Sequence, residues 1–86
     1  MFYVYVLKSK TDGKLYVGYT ADLRKRFEEH NNGLVASTKP RKPFVLVYYE
    51  AYRSQGDAKH REHMLKRFSG ATVHLKKRIA DSILSK

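Results

Sequence analysis

Three stretches of apolar, β-branched and aromatic residues predict the strands of a small sheet. Residues 2–7, Phe-Tyr-Val-Tyr-Val-Leu, show little polar alternation, which is typical of a strand covered on both faces. Asp12-Gly13 is a tight-turn dipeptide, and residues 15–19 after it predict the returning strand of an antiparallel hairpin. Residues 44–50 have a similar composition and predict a third strand.

Two predicted helices lie between and after these strands. The first starts at residues 20–22, with Thr20 as its N-cap, and ends near the Asn-Asn-Gly of residues 31–33. The second runs from about residue 55 to 68 and follows a capping-box pattern in residues 54–57.

The last part of the chain predicts a third helix and completes the fold class. Ser69-Gly70 is expected to end the second helix, and the third runs from about residue 72 to 84 with an apolar stripe at Leu75, Ile79 and Ile83. The order β-β-α-β-α-α predicts an α+β fold in which helices pack on a three-stranded antiparallel sheet. A chain of 86 residues has room for one hydrophobic core.

The charge of the chain indicates a polyanionic partner. Eighteen Lys and Arg residues against eight Asp and Glu residues give a net charge of +10, and most of the excess lies in residues 37–43 and from Arg53 onward. Nucleic acid or an acidic membrane surface would attract such a protein. Membrane binding is the weaker alternative, because the small core needs the apolar stripe of the last helix.

The composition also excludes several kinds of site. Without cysteine there is no disulfide framework, no cysteine zinc site and no thiol nucleophile. No apolar run approaches the roughly 20 residues that span a bilayer, and no basic segment precedes the apolar N-terminal stretch. Neither a membrane span nor a signal peptide is therefore predicted, and we expect a soluble protein of the cytoplasm.

Two polar residues of the first predicted helix indicate a cleft beside the sheet. Leu23 and Phe27 set the apolar stripe of this helix, and Arg26 and His30 fall beside that stripe, one turn apart. Both side chains are therefore expected at the edge of the packed face.

On the second predicted helix, a carboxylate takes an inward position. Glu62 has nearly the same helical angle as the inner residues Ala58 and Leu65. It needs a partner, because burying an unpaired carboxylate costs several kcal/mol. Either Glu62 forms a structural ion pair, for instance with Arg26, or it is a metal ligand or an acidic group in an active-site cleft. Helical spacing alone leaves both interpretations open.

Together with the tyrosines of the hairpin, these residues resemble the signature of the GIY-YIG nuclease superfamily. Tyr3-Val4-Tyr5 and Tyr16-Val17-Gly18 take the places of its two motifs, and they are followed in order by Arg26, His30 and Glu62. The resemblance implies that residues 1–86 are a single GIY-YIG-like nuclease domain. It is similar to a small stand-alone bacterial branch, related to the nuclease domains of the bacterial excinuclease and of eukaryotic structure-specific nucleases.

The resemblance implies a metal-dependent endonuclease that hydrolyses DNA phosphodiester bonds, directed by DNA structure or backbone, in DNA repair or processing. Glu62 would hold one Mg²⁺ (or Mn²⁺), and Arg26 would grip the non-bridging phosphate oxygens. Tyr5 and Tyr16 would share the activation of water, with Tyr16 slightly favoured as the general base. His30 would relay a proton or hold a tyrosine hydroxyl.

The expected partner is DNA, with RNA as an open alternative. The predicted contacts are the backbone at Gly18, which would let the phosphate come close, and the basic side chains of Lys39, Arg41, Lys42, Arg53, Arg61 and Lys66. No element that reads base sequence is evident, so either a protein partner supplies specificity or the protein has little.

A non-catalytic or partner-dependent nucleic-acid-binding module with a vestigial site is the alternative hypothesis. Many members of the superfamily carry an Asn after the glutamate helix, and this chain has no Asn beyond position 32, which favours the alternative. The first motif also lacks its Gly and its Ile. The retained Arg26 and Glu62 favour a nuclease.

Overall fold

The predicted strands form one antiparallel sheet with the N-terminal strand at its centre. The computed structural model describes residues 1–85 and places β1 (Phe2–Ser9) between β2 (Leu15–Thr20) and β3 (Phe44–Tyr52). Each strand extends one or two residues beyond the C-terminal end predicted for it.

The register of the sheet sets the two tyrosine motifs side by side. Tyr5 in β1 pairs with Gly18 in β2, and Leu7 in β1 pairs with Tyr16. On its other side, Tyr5 pairs with Tyr49 of β3. Because directly opposed residues project to the same face of a sheet, Tyr5, Tyr16 and Gly18 share one face.

Helices cover both faces of this sheet. α1 (Leu23–Asn31) packs on the face that carries Tyr5, while α2 (Gln55–Arg67), α3 (Ser69–Arg78) and α4 (Ala80–Leu84) pack on the other. The α+β class and the antiparallel sheet are confirmed, and the observed order is β-β-α-β-α-α-α. Within residues 1–85, every helix is too short or too polar to cross a membrane.

The central strand is buried on both faces because its side chains alternate between two apolar clusters. Val4 and Val6 pack against the inner residues of α2 and α3, whereas Tyr5 and Leu7 pack with Phe44 beneath α1. All four of these β1 side chains are at most 1% exposed. Burial on both sides explains why the strand shows so little polar alternation.

The first helix begins later than predicted, because Asp22 and not Thr20 is its N-cap. The Asp22 carboxylate accepts a hydrogen bond from the Lys25 backbone N–H at 3.1 Å. Thr20 instead accepts the Asp22 N–H at 3.1 Å, which makes it part of the turn that leads into the helix. The second helix has its predicted N-cap, since the Ser54 hydroxyl accepts the Asp57 N–H at 3.3 Å.

The predicted third helix is two helices, and the prediction that Ser69-Gly70 ends α2 is wrong. Phe68 has an extended backbone and separates α2 from α3, which begins at Ser69. The Thr72 hydroxyl donates to the Leu65 carbonyl at 2.6 Å, satisfying an acceptor in the last turn of α2 and tying the helices together. A second break at Ile79 separates α3 from α4.

The loop between α1 and β3 is held by side chains of neighbouring elements. The Asn31 side chain donates to the Phe44 carbonyl at 3.1 Å and accepts the Phe44 N–H at 2.6 Å. The Ser9 hydroxyl donates to the Arg41 carbonyl at 2.5 Å. Residues 34–43 are a loop, as predicted, except for a short 3₁₀ turn at Lys39–Arg41.

Candidate active site

The predicted catalytic side chains come from four elements and meet beside the edge strand β2. They are Tyr5 of β1, Tyr16 of β2, Arg26 and His30 of α1, and Glu62 of α2. The rings of Tyr5, Tyr16 and His30 are neighbours, with centroids 5.1 to 6.4 Å apart. The charges of Arg26 and Glu62 both influence the pKa of Tyr5, so the five residues share one electrostatic environment.

His30 is the buried centre of this site. Its side chain is 0% exposed, and its ring nitrogens lie 2.8 Å from the Tyr5 hydroxyl oxygen and 2.7 Å from Thr38 Oγ1. Burial lowers the pKa of His30, and the positive charge of Arg26 lowers it further, so the imidazole is neutral at neutral pH. His30 lies deeper than predicted, because the following loop packs onto it through Thr38.

Tyr5 holds its proton more tightly than a free tyrosine does. Burial raises the pKa of Tyr5 to about 12, although the nearby Arg26 guanidinium opposes this effect. Tyr5 is therefore protonated at neutral pH, and it suits a hydrogen-bonding role better than that of a general base.

Gly18 leaves room for the Tyr5 ring. A Cβ at Gly18 would overlap the Cζ and hydroxyl oxygen of Tyr5. Gly18 is also buried, so the structure gives it a packing role, and a contact with a phosphate stays a prediction.

A row of charged side chains on α2 runs along the edge strand. The Nζ atoms of Lys59 and Lys66 lie 5.5 Å from the ring centroids of Tyr19 and Tyr16, respectively. Glu62 lies between the two lysines on the helix, and its Oε2 is 3.1 Å from Lys66 Nζ. This row brings one carboxylate and one ammonium group next to Tyr16.

Of the two interpretations of Glu62, the ion pair with Arg26 is not formed. Arg26 Nη1 lies 3.3 Å from Glu29 Oε1, one turn along α1, and Glu62 pairs with Lys66 instead. The Glu62 side chain is 25% exposed, so it faces the edge of the sheet and not the interior. The helical angle was correct, but the edge strand β2 ends the sheet at this point and leaves the carboxylate open to solvent.

The predicted DNA-contacting basic residues fall into three groups. Arg41 and Arg61 are held by carboxylates, with Nε of Arg41 2.8 Å from Asp12 Oδ2 and Nη2 of Arg61 3.0 Å from Glu50 Oε2. Lys66 lies in the site, as described above. The others are exposed and free to meet a phosphate backbone; these are Lys39, Lys42 and Arg53.

Glu50 binds Arg61 within a polar cluster on the opposite face of the sheet from Tyr5. Tyr48 donates its hydroxyl to Glu50 at 2.7 Å, and Tyr52 donates to the other carboxylate oxygen. Burial alone would raise the pKa of Glu50, but hydrogen bonds from Arg61 and both tyrosines outweigh burial and lower it. Arg61 is therefore engaged with β3, the edge strand opposite β2.

The family of the chain follows from a comparison with known protein families. The sequence model of the GIY-YIG catalytic domain matches residues 1–76, a stretch that includes both tyrosine motifs, Arg26, His30 and Glu62. The chain belongs to the GIY-YIG family. The predicted relationship is thereby confirmed.

Relatives of similar size within the GIY-YIG family are bacterial. UPF0213 protein SSP2268 of Staphylococcus saprophyticus is 47% identical over 68 residues, covering 78% of this chain and 82% of the relative. UPF0213 protein CPE1444 of Clostridium perfringens is 44% identical over 70 residues, covering 80% and 74%. The solution NMR structure of the UPF0213 protein BH0048 from Bacillus halodurans matches 100% of this chain and 99% of its own, with 35% identity and a TM-score of 0.55.

The donor set of this GIY-YIG site fits a metal ion that is shared with a substrate. Within residues 1–85, no three His, Asp or Glu side chains cluster closely enough to enclose a metal. Mg²⁺ commonly uses only one or two carboxylates and completes its shell with waters and substrate phosphate oxygens. The partly exposed carboxylate of Glu62 would supply one such ligand if the Lys66 ammonium group left it.

Sequence reasoning missed Thr38, which contacts His30 directly. Thr38 is 0% exposed, although it lies in a loop rich in basic residues and prolines. A lone threonine in such a loop gives no periodic signal, and its contact with His30 depends on how the loop folds back.

Proposed function

We propose that this protein is a metal-dependent endonuclease that hydrolyses DNA phosphodiester bonds. The observation that carries the proposal is the convergence of two tyrosines, a buried neutral histidine, an arginine and an open carboxylate beside one strand edge. Phosphodiester hydrolysis needs a base for water, a cation for the phosphoryl oxygens and groups that hold the strand in line. Membership of the GIY-YIG family supports the same reaction.

Each side chain has a role that suits its environment. Arg26 binds the non-bridging oxygens, for which its planar fork is well shaped. Glu62 would hold Mg²⁺ or Mn²⁺, which as a Lewis acid would offset the negative charge of the phosphoryl group. Tyr16 is the proposed general base, because it is only partly buried on the edge strand, whereas Tyr5 is buried and hydrogen-bonded to His30. Tyr5 then orients water or phosphate by donating a hydrogen bond, and His30 holds it in place.

DNA is held mainly by its backbone in this proposal. The exposed cations Lys39, Lys42 and Arg53 contact phosphates and position the duplex without reading bases. Binding is expected to weaken steeply with salt, by about 0.9 log units per tenfold salt for each phosphate neutralised. A cytoplasmic protein of DNA repair or processing, with a protein partner supplying specificity, is the setting that we propose.

A cleavage assay on a panel of labelled DNAs tests the proposed reaction. Single-stranded, duplex, flapped and branched substrates are incubated with Mg²⁺, with EDTA, and with Glu62→Gln protein. We expect nicking with Mg²⁺ that disappears with EDTA and in Glu62→Gln, while Glu28→Gln, at an exposed position of α1, cuts normally. An RNA panel in parallel shows whether DNA is preferred.

The binding-module alternative gives a different result in the same assay. Its specific support is the Glu62–Lys66 ion pair, because an ammonium group already occupies the carboxylate that a metal would need. Under this alternative the wild-type protein binds the panel, cuts none of the substrates, and Glu62→Gln binds as well as wild type. That outcome would replace the nuclease proposal.

A further inference from the structure

Thr38 and Tyr5 contact opposite nitrogens of the same buried imidazole. Thr38 Oγ1 lies 2.7 Å from Nδ1 of His30, and the Tyr5 hydroxyl oxygen lies 2.8 Å from Nε2. All three side chains are at most 1% exposed, so water does not replace either contact. A neutral imidazole carries one N–H, and therefore one of its nitrogens donates and the other accepts. If Thr38 donates to Nδ1, then Nε2 carries the proton and donates to Tyr5; if Thr38 accepts from Nδ1, then Nε2 accepts from Tyr5.

The surroundings of Thr38 indicate which nitrogen carries the proton. The other acceptor within reach of the Thr38 hydroxyl is the Val35 carbonyl, at the longer distance of 3.4 Å. This carbonyl already accepts the backbone N–H groups of Thr38 at 3.1 Å and Lys39 at 2.9 Å, which use both of its lone pairs. The single hydroxyl proton of Thr38 therefore points at Nδ1 of His30.

The proton of the imidazole then lies on Nε2 and is donated to the Tyr5 oxygen. Arg26, whose guanidinium also acts on this oxygen, has no acceptor and can only donate. Neither neighbour takes the Tyr5 hydroxyl proton, which is therefore not donated to His30 or to Arg26.

We propose that Thr38 is a positioning residue that locks His30 in its Nε2–H tautomer and thereby prevents Tyr5 from donating its hydroxyl proton to the imidazole. The tautomer is a property of the folded chain alone. Only the last step, the donation from Tyr5 to water or to a phosphate oxygen, rests on the proposed nuclease function. The partner of the second ring nitrogen commonly decides the tautomer of a functional histidine in this way.

Nuclear magnetic resonance of protein labelled with ¹⁵N-histidine tests the tautomer directly. Two-bond ¹H–¹⁵N correlations distinguish Nε2–H from Nδ1–H, and burial separates His30 from the exposed His60, His63 and His74. We expect wild-type His30 in the Nε2–H form and a substantial Nδ1–H population in Thr38→Val, which has nearly the same shape but no hydroxyl. Thr38→Ser, which keeps the hydroxyl, should retain Nε2–H.

Thr72→Val is the matched control for this experiment. It removes the threonine hydroxyl of α3, which donates to the Leu65 carbonyl and does not contact His30. It should leave the tautomer unchanged. An Nδ1–H form in the wild-type protein overturns the proposal, as does an unchanged tautomer in Thr38→Val. If Thr38→Val does not fold, the wild-type and Thr38→Ser spectra decide.

Cleavage kinetics test the step that depends on the proposed nuclease. Thr38→Val should lower kcat on the order of tenfold with little change in KM, and Thr38→Ser should restore it. Absence of any cleavage by wild type would overturn the nuclease but leave the tautomer result standing. If the wild-type protein cuts DNA but His30 is in the Nδ1–H form, the role of Thr38 is overturned and the proposed nuclease function stands.

Discussion

The ring of Tyr5 on the central strand lies against Gly18 on the edge strand, where a Cβ would otherwise stand. The hydroxyl of the same ring reaches His30 at 2.8 Å. The absence of a side chain at Gly18 therefore allows the Tyr5 hydroxyl to reach Nε2 of His30. In this protein, the glycine of the second motif and the tyrosine of the first form one packing unit.

Gly18→Ala is expected to destabilise the protein and to abolish most cleavage. The new methyl group would overlap the Tyr5 ring, and that ring is only 1% exposed, so it is packed on all sides. Overpacking of this kind costs about 1–3 kcal/mol. Urea unfolding measures the loss of stability, and cleavage below the unfolding transition measures the displacement of the hydroxyl.

Gly70→Ala is the control for this substitution. Its Cβ would meet no atom within 4 Å, and the residue lies in α3. Alanine is favoured over glycine in helices by up to about 1 kcal/mol, so Gly70→Ala should be neutral or stabilising. Equal effects of the two substitutions would mean that the Tyr5 ring is not confined by Gly18.

The strands could be predicted because their sequence signal is local. The burial of the site residues could not, because it depends on distant parts of the chain. Arg26 and His30 have neighbouring positions beside the stripe of α1, yet the Arg26 side chain is 38% exposed and His30 is fully buried. The difference comes from Thr38, which folds back onto His30 from the next loop. Helical periodicity gives the direction of a side chain but contains no information about a loop that covers it.

The same limit explains the position of Glu62. Its helical angle correctly placed it near Ala58 and Leu65, which are 0% and 4% exposed. Whether that direction leads into the core or past the edge of the sheet depends on how α2 lies against β2. The break at Ile79 is a further case, since the apolar stripe continues through it and both halves still pack on the core.

Tyr5→Phe and Tyr16→Phe are expected to separate stability from catalysis. Tyr5→Phe removes the partner of a buried ring nitrogen of His30 and should cost about 1–3 kcal/mol of folding free energy. Tyr16 is only partly buried, and Tyr16→Phe should change stability by less than about 0.5 kcal/mol. Urea unfolding of both variants checks this order.

The loss of cleavage activity should be larger in Tyr16→Phe than in Tyr5→Phe, which is the reverse of the order expected for stability. Loss of the proposed general base in Tyr16→Phe should lower kcat by about 100-fold or more, and Tyr5→Phe by on the order of tenfold. Single-turnover rates at a temperature where both variants are folded measure the ratio. A larger catalytic loss in Tyr5→Phe would assign the base to Tyr5 and contradict the roles proposed for the pair.

Glu50→Gln is expected to change the acid stability of the protein. The pKa of Glu50 in the folded protein lies below its ordinary value of 4.5, because hydrogen bonds from Arg61, Tyr52 and Tyr48 outweigh burial. The unfolded chain therefore binds the proton more readily, and the contribution of Glu50, complete above pH 4.5, is lost as pH falls through the folded pKa. Urea midpoints between pH 7 and 3 should fall less steeply below pH 4.5 in Glu50→Gln than in wild type.

The same experiment contains an internal control, which is a loss of folding stability that begins at a higher pH and comes from His30. The pKa of His30 in the folded protein is lowered from 6.5 by burial and by Arg26. As the pH falls, His30 is therefore protonated in the unfolded chain before it is protonated in the folded protein. Stability should therefore begin to fall below pH 6.5 in both proteins. If Glu50→Gln retained the full loss below pH 4.5, Glu50 would not be the group responsible for it.

Lys66→Met is expected to lower the Mg²⁺ requirement of the proposed cleavage reaction and to weaken DNA binding. The Lys66 ammonium group lies 3.1 Å from the Glu62 carboxylate and competes there with a divalent cation. Its removal should lower the Mg²⁺ concentration for half-maximal cleavage several-fold. If Lys66 also contacts a phosphate, the slope of log affinity against log salt should become shallower by about 1.

Lys59→Met separates this effect from a general loss of positive charge. Lys59 lies over Tyr19 much as Lys66 lies over Tyr16, but Lys66 is the lysine that pairs with Glu62. The control should therefore leave the Mg²⁺ requirement unchanged. A higher Mg²⁺ requirement in Lys66→Met would show that Lys66 holds the carboxylate in its metal-binding position. The ion pair would then be part of the active arrangement and would have to persist when the metal binds.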